Sequence, residues 1–117
     1  MLLPGYNYSL FYTKIPVFYW GDIDVEGFRI LSNLRTFFPE VQSLLMDRET
    51  LEANRQGIVS GNNSSVEPPG KLTEEERETF IYCRDQNYRL EQEKIPQAYI
   101  EERLAKFISS SCKSSVQ

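Results

Sequence analysis

The sequence contains no histidine among its 117 residues. This absence excludes Ser-His-Asp and Cys-His catalysis and every zinc site that needs an imidazole ligand. Cysteine is scarce as well, and the isolated Cys83 and Cys112 lack metal-ligand spacing, so we expect free thiols. Carboxylates, hydroxyls and basic side chains remain for chemistry. Their hard oxygen ligands favour magnesium, manganese or calcium.

Long apolar runs and an excess of positive charge are also missing. No apolar stretch approaches the roughly 20 residues that span a bilayer, and residues 1–4 do not begin a signal peptide. We therefore expect a cytoplasmic protein with no membrane partner. The formal net charge of −4 argues against non-specific nucleic-acid binding through a large positive surface. A catalytic domain can still take its grip on DNA from another domain or subunit.

The most informative stretch covers residues 17–27, where a short apolar run is followed by Asp22 and Asp24. Residues 17–20 predict a strand buried on both faces, and ligand groups lie beyond the carboxyl ends of such strands. In extended backbone the two aspartates point to one side while Ile23 points into the core. Two adjacent carboxylates repel unless a proton, a basic side chain or a metal ion joins them. We interpret the pair as a divalent-metal site.

The residues that follow predict a β-α-β unit. Residues 26–38 have helical apolar spacing and residues 41–46 form a second apolar run of strand length, so the two strands should be parallel. Asp24 stands near the helix start, where a capping role is the structural alternative. Asp47 directly follows the second strand and is a further candidate metal ligand, although the cap of the next helix is favoured.

The rest of the chain predicts helices separated by polar segments. Thr73 and Glu76 match a capping box, and the acidic residues around them are interpreted as capping and solvation. The predicted segments are an N-terminal segment of uncertain structure (1–16), a mobile loop (56–70), a helix (74–87), an edge strand, helix end or connector (89–96), a final helix (97–109) and a disordered tail (109–117).

Four short motifs in order resemble a known family. They are residues 19–24 with Gly27 and Phe28, residues 43–47 with Thr50 and Leu51, Leu72 with Thr73, and residues 89–93 with Ile95. Together they resemble the C-terminal domain of the nuclease subunit of the Wadjet anti-plasmid systems, a domain of the Toprim class. The resemblance covers most of the chain, and we assign residues 17–108 to this Toprim-like domain.

The resemblance implies a small parallel sheet flanked by helices and a magnesium-dependent endonuclease that cleaves plasmid DNA. Asp22 and Asp24 correspond to the Asp-x-Asp pair that holds Mg²⁺ or Mn²⁺ and would be catalytic. Glu91 and Glu93 are candidates for a second metal position, with ion pairs to Arg89 or Lys94 as the equal alternative. The implied partners are double-stranded DNA and a condensin-like ATPase complex, and a second copy in a homodimer is a further candidate partner.

The family pattern also places a metal-binding glutamate on an earlier strand. Only sixteen residues precede the strand at residue 17, and none of them is acidic. We therefore expect a partial fold with its first strand region missing, a fragment that is inactive alone. A degenerate module that acts only in protein assembly is the non-enzymatic alternative.

Two other classes fit less well. Residues 22–27 match the start of an EF-hand loop, but Asn33 stands where the loop needs glutamate. A haloacid-dehalogenase-type phosphotransferase needs Thr or Val where this sequence has Glu26.

Overall fold

The computed structural model of the chain describes residues 16–115, with side chains for residues 16–110. Within this range the chain forms four α-helices and two two-stranded sheets. The helices are α1 (Val25–Phe37), α2 (Arg48–Ala53), α3 (Glu74–Gln86) and α4 (Gln97–Ser115), and the strands are β1 (Phe18–Tyr19), β2 (Gln42–Ser43), β3 (Val59–Ser60) and β4 (Tyr88–Arg89). The segment predicted over residues 1–16 lies outside the described residues, apart from its last residue.

β1 and β2 run parallel, with Phe18 opposite Gln42, which confirms the predicted β-α-β unit. The strand predicted over residues 17–20 is shorter than expected. The prediction that it is buried on both faces is wrong, since Val17 is 46% exposed and Phe18 is 36% exposed. Among the described residues this sheet has only two strands, so both of them are edge strands. The ring of Phe18 packs against the ring of Phe107 in a T-shaped arrangement, with the ring centroids 5.4 Å apart.

β2 is also shorter than the strand predicted over residues 41–46. Leu45 has a φ of 58°, in the left-handed region that is unfavourable for leucine. This residue ends the extended run, and the turn lets Leu45 and Met46 both reach the core. The chain then leaves the sheet, and α2 starts directly after Asp47.

α1 and α3 begin at the caps that the sequence predicts. The Asp24 carboxylate caps α1, and Thr73 and Glu76 form the reciprocal capping box of α3. The two helices pack through Phe28 and Phe80, whose rings meet edge to face at 6.5 Å. The buried core around them consists of Ile23, Phe28, Leu31, Val41, Met46, Leu51, Phe80, Cys83, Leu90 and Ile95.

The end of α1 differs from the helical pattern. Phe38 continues the apolar spacing of residues 26–38, yet it is 57% exposed. It is the C-cap residue, and its φ of −130° takes its side chain off the buried face of the helix.

The loop predicted over residues 56–70 begins with regular structure. A 3₁₀ turn leads into β3, which pairs antiparallel with β4. Residues 89–96, for which the sequence left a strand, a helix end or a connector open, contain the end of β4 and a 3₁₀ helix at Gln92–Lys94. The segment is thus more ordered than its mixed composition indicates.

α4 extends to Ser115, beyond the end at Ser109 that the sequence predicts. The tail predicted to be disordered is therefore helical up to that residue. No glycine or proline follows Pro96, so the tail contains no strong helix breaker. None of the described helices combines the length and the apolar character needed to cross a lipid bilayer.

A buried ion pair ties the parallel strands to helices α1 and α3. Arg35 of α1 donates to the two carboxylate oxygens of Glu76 at 2.6 and 3.0 Å. Glu76 also accepts from the Ser43 hydroxyl of β2 and from the Thr73 amide. The Arg35 side chain is 10% exposed and that of Glu76 is 8% exposed. Glu76 is therefore a structural anchor as well as a capping residue.

Replacement of Glu76 by glutamine leaves the Arg35 guanidinium buried without a counter-charge. We expect E76Q to lower the free energy of unfolding by about 3–5 kcal/mol, measured by urea denaturation. Glu78 is an exposed glutamate of the same helix, and the control E78Q should change stability by less than about 0.5 kcal/mol. Equal stability of the two variants would contradict the anchoring role.

The same anchor predicts a pH dependence. Burial raises the pKa of Glu76, but hydrogen bonds from Arg35, Ser43 and Thr73 and the charge of Arg35 outweigh it and hold the pKa at about 2. Because the folded pKa is lowered, its stabilisation is complete above the unfolded pKa of about 4.3 and is lost as the pH falls toward 2. As the pH falls between these two values, urea denaturation should show a larger decrease in the free energy of unfolding for the wild type than for E76Q. Equal decreases in the two proteins would refute the role of the Glu76 charge.

Candidate functional site

The connection between β1 and α1 places the two aspartates. The Ile23 amide donates to the Leu90 carbonyl at 2.9 Å, and the Leu90 amide donates back at 3.1 Å. Ile23 is fully buried, so the residues on either side of it, Asp22 and Asp24, lie at the surface edge. The predicted orientation of Ile23 into the core is confirmed.

Each aspartate is fixed by one of its two oxygens. Asp24 Oδ1 accepts from the Gly27 amide at 2.6 Å, as the N-cap of α1. Asp22 Oδ1 accepts from the Gln92 amide at 2.9 Å, which joins it to a segment seventy residues further along the chain. Within the described part of the chain, neither Oδ2 accepts a hydrogen bond. One oriented carboxylate oxygen therefore remains available on each residue.

Arg89 supplies the cation that joins the two carboxylates. Its Nε lies 3.5 Å from Asp24 Oδ2, and its Nη2 lies 3.7 Å from Asp22 Oδ2. Nη2 also lies 3.8 Å from Glu91 Oε2. The side chains of Asp22, Asp24 and Glu91 and the guanidinium of Arg89 thus form one group, which we call the acidic cluster.

Negative charge in the acidic cluster exceeds what Arg89 neutralises. Burial raises the pKa of Asp24, the charges of Asp22 and Glu26 raise it further, and the Gly27 amide and Arg89 oppose the rise without cancelling it. The pKa of the Tyr19 hydroxyl is raised as well, by burial and by the charges of Asp22, Asp24 and Glu26. The field at this edge therefore favours an additional cation.

Two open grooves meet at the acidic cluster. One, of about 270 Å³, is lined by Tyr19, Asp22, Asp24 and Arg89 among others. The other, of about 290 Å³, lies between the start of α1 and the end of α3 and also includes Arg29. Asp24 and Arg89 line both grooves, so a ligand in either one can approach the cluster.

A close backbone approach supports this geometry. A Cβ atom at Gly27 would collide with the Asp22 carbonyl oxygen. Only glycine allows the first turn of α1 to lie against the aspartate connection. Gly27, which follows the aspartates in the sequence, thus has a steric role in holding the site.

The other predicted site residues lie in different surroundings. Asp47 caps α2 through the Thr50 amide at 2.8 Å and pairs with Arg103 at 2.7 Å, so both of its oxygens are engaged. Its predicted capping role is confirmed. Glu91 belongs to the acidic cluster, whereas Glu93 is exposed in the Gln92–Lys94 turn.

Arg89 is the site residue whose position was not predicted. The sequence offered it only as an ion-pair partner of the nearby glutamates. The signal was present in residues 89–91, because extended backbone that buries Leu90 turns Arg89 and Glu91 to the same side. Without knowledge that Leu90 pairs with Ile23, the aspartates could not be assigned to that side.

The donor set fits a hard divalent cation. Mg²⁺ takes oxygen ligands and is often held by only one or two carboxylates, with water and phosphate oxygens completing its shell. Asp22 Oδ2 and Asp24 Oδ2 provide such a pair. Among residues 16–110, no group of three or more His, Cys, Asp or Glu side chains is placed to hold a metal. Further ligands would therefore come from water, substrate or another part of the protein.

These features define a small α/β domain with an acidic candidate site at the end of a parallel strand pair. A family model described as "Wadjet protein JetD, C-terminal" matches residues 7–104. The chain belongs to this family, since the match spans well over half of its length, and the resemblance to a Wadjet protein is confirmed. Membership connects the chain to the Wadjet defence system and to a complex with other Wadjet proteins. The search of curated proteins found no match.

Alanine at position 27 tests the steric part of the site. We expect G27A to lower the free energy of unfolding by about 1–3 kcal/mol, because the new methyl group must displace the Asp22 carbonyl. Chemical denaturation measures the change. At Gly70, no atom of the described chain lies within 4 Å of the position that a methyl group would take, so the control G70A should be neutral or slightly stabilising. Similar stabilities for the two variants would contradict the packing role.

Proposed function

We propose that the chain contributes the Asp22 and Asp24 ligands of a magnesium-dependent, Toprim-type DNA cleavage site in a Wadjet defence system. The observation that carries the proposal is the position of Asp22 Oδ2 and Asp24 Oδ2. Neither oxygen accepts a hydrogen bond from the described residues, and both lie near the guanidinium of Arg89. Family membership supplies the defence context.

The chain's own residues orient the ligands. The Gln92 amide holds Asp22 and the Gly27 amide holds Asp24, so each free oxygen has a fixed direction before any ligand binds. Magnesium or manganese at these oxygens would neutralise a scissile phosphate and orient the attacking water. The family pattern adds a glutamate ligand to this pair, and among the described residues no third carboxylate is placed to complete a metal site, so we expect the chain to be inactive alone.

The proposed partners follow from the family resemblance and from the charge of the chain. A net charge of −4 provides little attraction for DNA. We therefore propose that double-stranded DNA is held mainly by other parts of the protein, and the resemblance implies a condensin-like ATPase complex as a further partner. A homodimer is also proposed as a source of further ligands, and the setting is the bacterial cytoplasm.

A non-catalytic role in protein assembly is the second candidate. It is favoured by Arg89, which already occupies the space between the two carboxylates. Exposed aromatic residues at the end of α1 also favour it, since Phe37 is 77% exposed and Phe38 is 57% exposed. Metal binding separates the two candidates.

Calorimetric titration with Mn²⁺ tests the metal site directly. We expect the wild type to bind one ion and the double variant D22N/D24N to bind at least about tenfold more weakly. Asparagine remains a good N-cap, so the fold should persist, as circular dichroism can verify. The controls E93Q and D47N remove acidic groups outside the Asp22–Asp24 pair and should bind as the wild type does.

Activity requires the complete Wadjet assembly. Plasmid cleavage by the protein that carries this domain, with its partner proteins and Mg²⁺, should be lost in D22N/D24N and retained in E93Q. Full cleavage by D22N/D24N would refute the catalytic assignment. Equal Mn²⁺ binding by the wild type and the double variant would favour the assembly role.

A further inference from the structure

We infer that Arg89 is a built-in occupant of the divalent-metal position, and that its guanidinium must leave before a metal binds Asp22 and Asp24. The inference rests on the proposed function. It adds that metal affinity is set by the side chain of Arg89 as well as by the two ligands. Arg89 is thus a regulatory residue of the site.

Position is the first reason. The guanidinium lies 3.5 Å from Asp24 Oδ2 and 3.7 Å from Asp22 Oδ2, and these are the two oxygens that no backbone amide of the described residues engages. A magnesium ion needs oxygen ligands at about 2.0–2.1 Å, so it would lie in the same space. The guanidinium and a metal ion bound to these oxygens would be only a few ångströms apart, and two positive charges that close repel strongly in a partly buried setting. Arg89 and the metal therefore compete for one position.

The second reason is that Arg89 is poorly bonded where it lies. Its Nε is buried and has no hydrogen-bond partner among the described residues, and a buried unpaired donor is costly. Its three carboxylate contacts, at 3.5 to 3.8 Å, are ion pairs too long for strong hydrogen bonds.

Arg35 provides a contrast, because its side chain is firmly hydrogen-bonded in place. Its guanidinium makes four hydrogen bonds of 2.6 to 3.0 Å, two to Glu76 and one each to the carbonyls of Val41 and Lys71. Arg89 has the same number of donors but is held by charge alone. The contrast marks Arg89 as a displaceable cation and Arg35 as a fixed one.

The third reason is that Arg89 has room to move. Its side chain is 37% exposed and lines both grooves at the acidic cluster. Its backbone is held in β4 opposite Val59, so rotation of the side chain alone is enough to vacate the position. Glu91, on the same side of the segment, can keep its contact with the guanidinium as it leaves.

Mn²⁺ titration of R89Q is the test. A positive charge close to a carboxylate weakens its affinity for a proton by about 1–3 pKa units. Loss of the Arg89 charge should strengthen Mn²⁺ binding in the same way, so R89Q should bind Mn²⁺ at least about tenfold more tightly than the wild type. The matched control is R29Q. Arg29 lines one of the same grooves and pairs only with Glu26 among the described residues. R29Q loses the same charge and should keep wild-type affinity.

A second measurement follows the Arg89 side chain in the wild-type protein. In the wild type, the Arg89 Nε–Hε resonance should shift or disappear on addition of Mg²⁺, while that of Arg35 stays in place because its Nε is bonded to the Val41 carbonyl. R89K, which keeps the charge, assigns the resonance and should bind Mn²⁺ about as weakly as the wild type. This arm decides the question if R89Q fails to fold.

The outcomes separate the inference from the proposed function. Wild-type binding with equal affinity in R89Q would overturn the inference and leave the metal site standing. Equal tightening in R29Q and R89Q would overturn it as well, since the effect would then be a general one of charge. Absence of Mn²⁺ binding in both the wild type and R89Q would overturn the metal site together with the inference. An Arg89 resonance that does not change at saturating Mg²⁺ would also overturn the inference.

Discussion

The buried pair of Arg35 and Glu76 is the interaction on which the positions of the other elements depend. Glu76 receives bonds from Arg35 of α1, from the Ser43 hydroxyl of β2 and from the Thr73 amide at the start of α3. One carboxylate thus links α1, α3 and the parallel strands. Because Asp24 is the N-cap of α1, the position of that helix also sets the position of the candidate site.

In the acidic cluster, Asp24 combines an observed structural role with the proposed metal-binding role. Asp24 uses Oδ1 to cap α1 and leaves Oδ2 facing Asp22 and Arg89. Capping therefore does not compete with ligand binding, since a carboxylate has two oxygens with separate lone pairs. The capping bond instead orients the second oxygen. Asp47 is the counter-example, because its cap and its bond to Arg103 engage both oxygens.

Local sequence signals predicted the local parts of the fold, and contacts distant in the chain escaped them. The caps at Asp24, Asp47 and Thr73 could be predicted because a capping residue and its amide partner are three positions apart. The strand lengths could not, since the left-handed backbone at Leu45 has no pattern that marks it. The bond from Gln92 to Asp22 could not be predicted either, because it depends on the pairing of segments far apart in sequence.

In the proposed site, charge neutrality would link the state that holds Arg89 to the state that holds a metal ion. Two carboxylates at a partly buried edge need a cation, and Arg89 meets that need within the chain. In the proposed metal site, a contact that held Arg89 more firmly would weaken metal binding, because both cations would use the same oxygens. The guanidinium has long contacts and an Nε unpaired among the described residues. In the proposed site, this weak retention of Arg89 would balance the charge of the two carboxylates and still permit exchange for a metal ion.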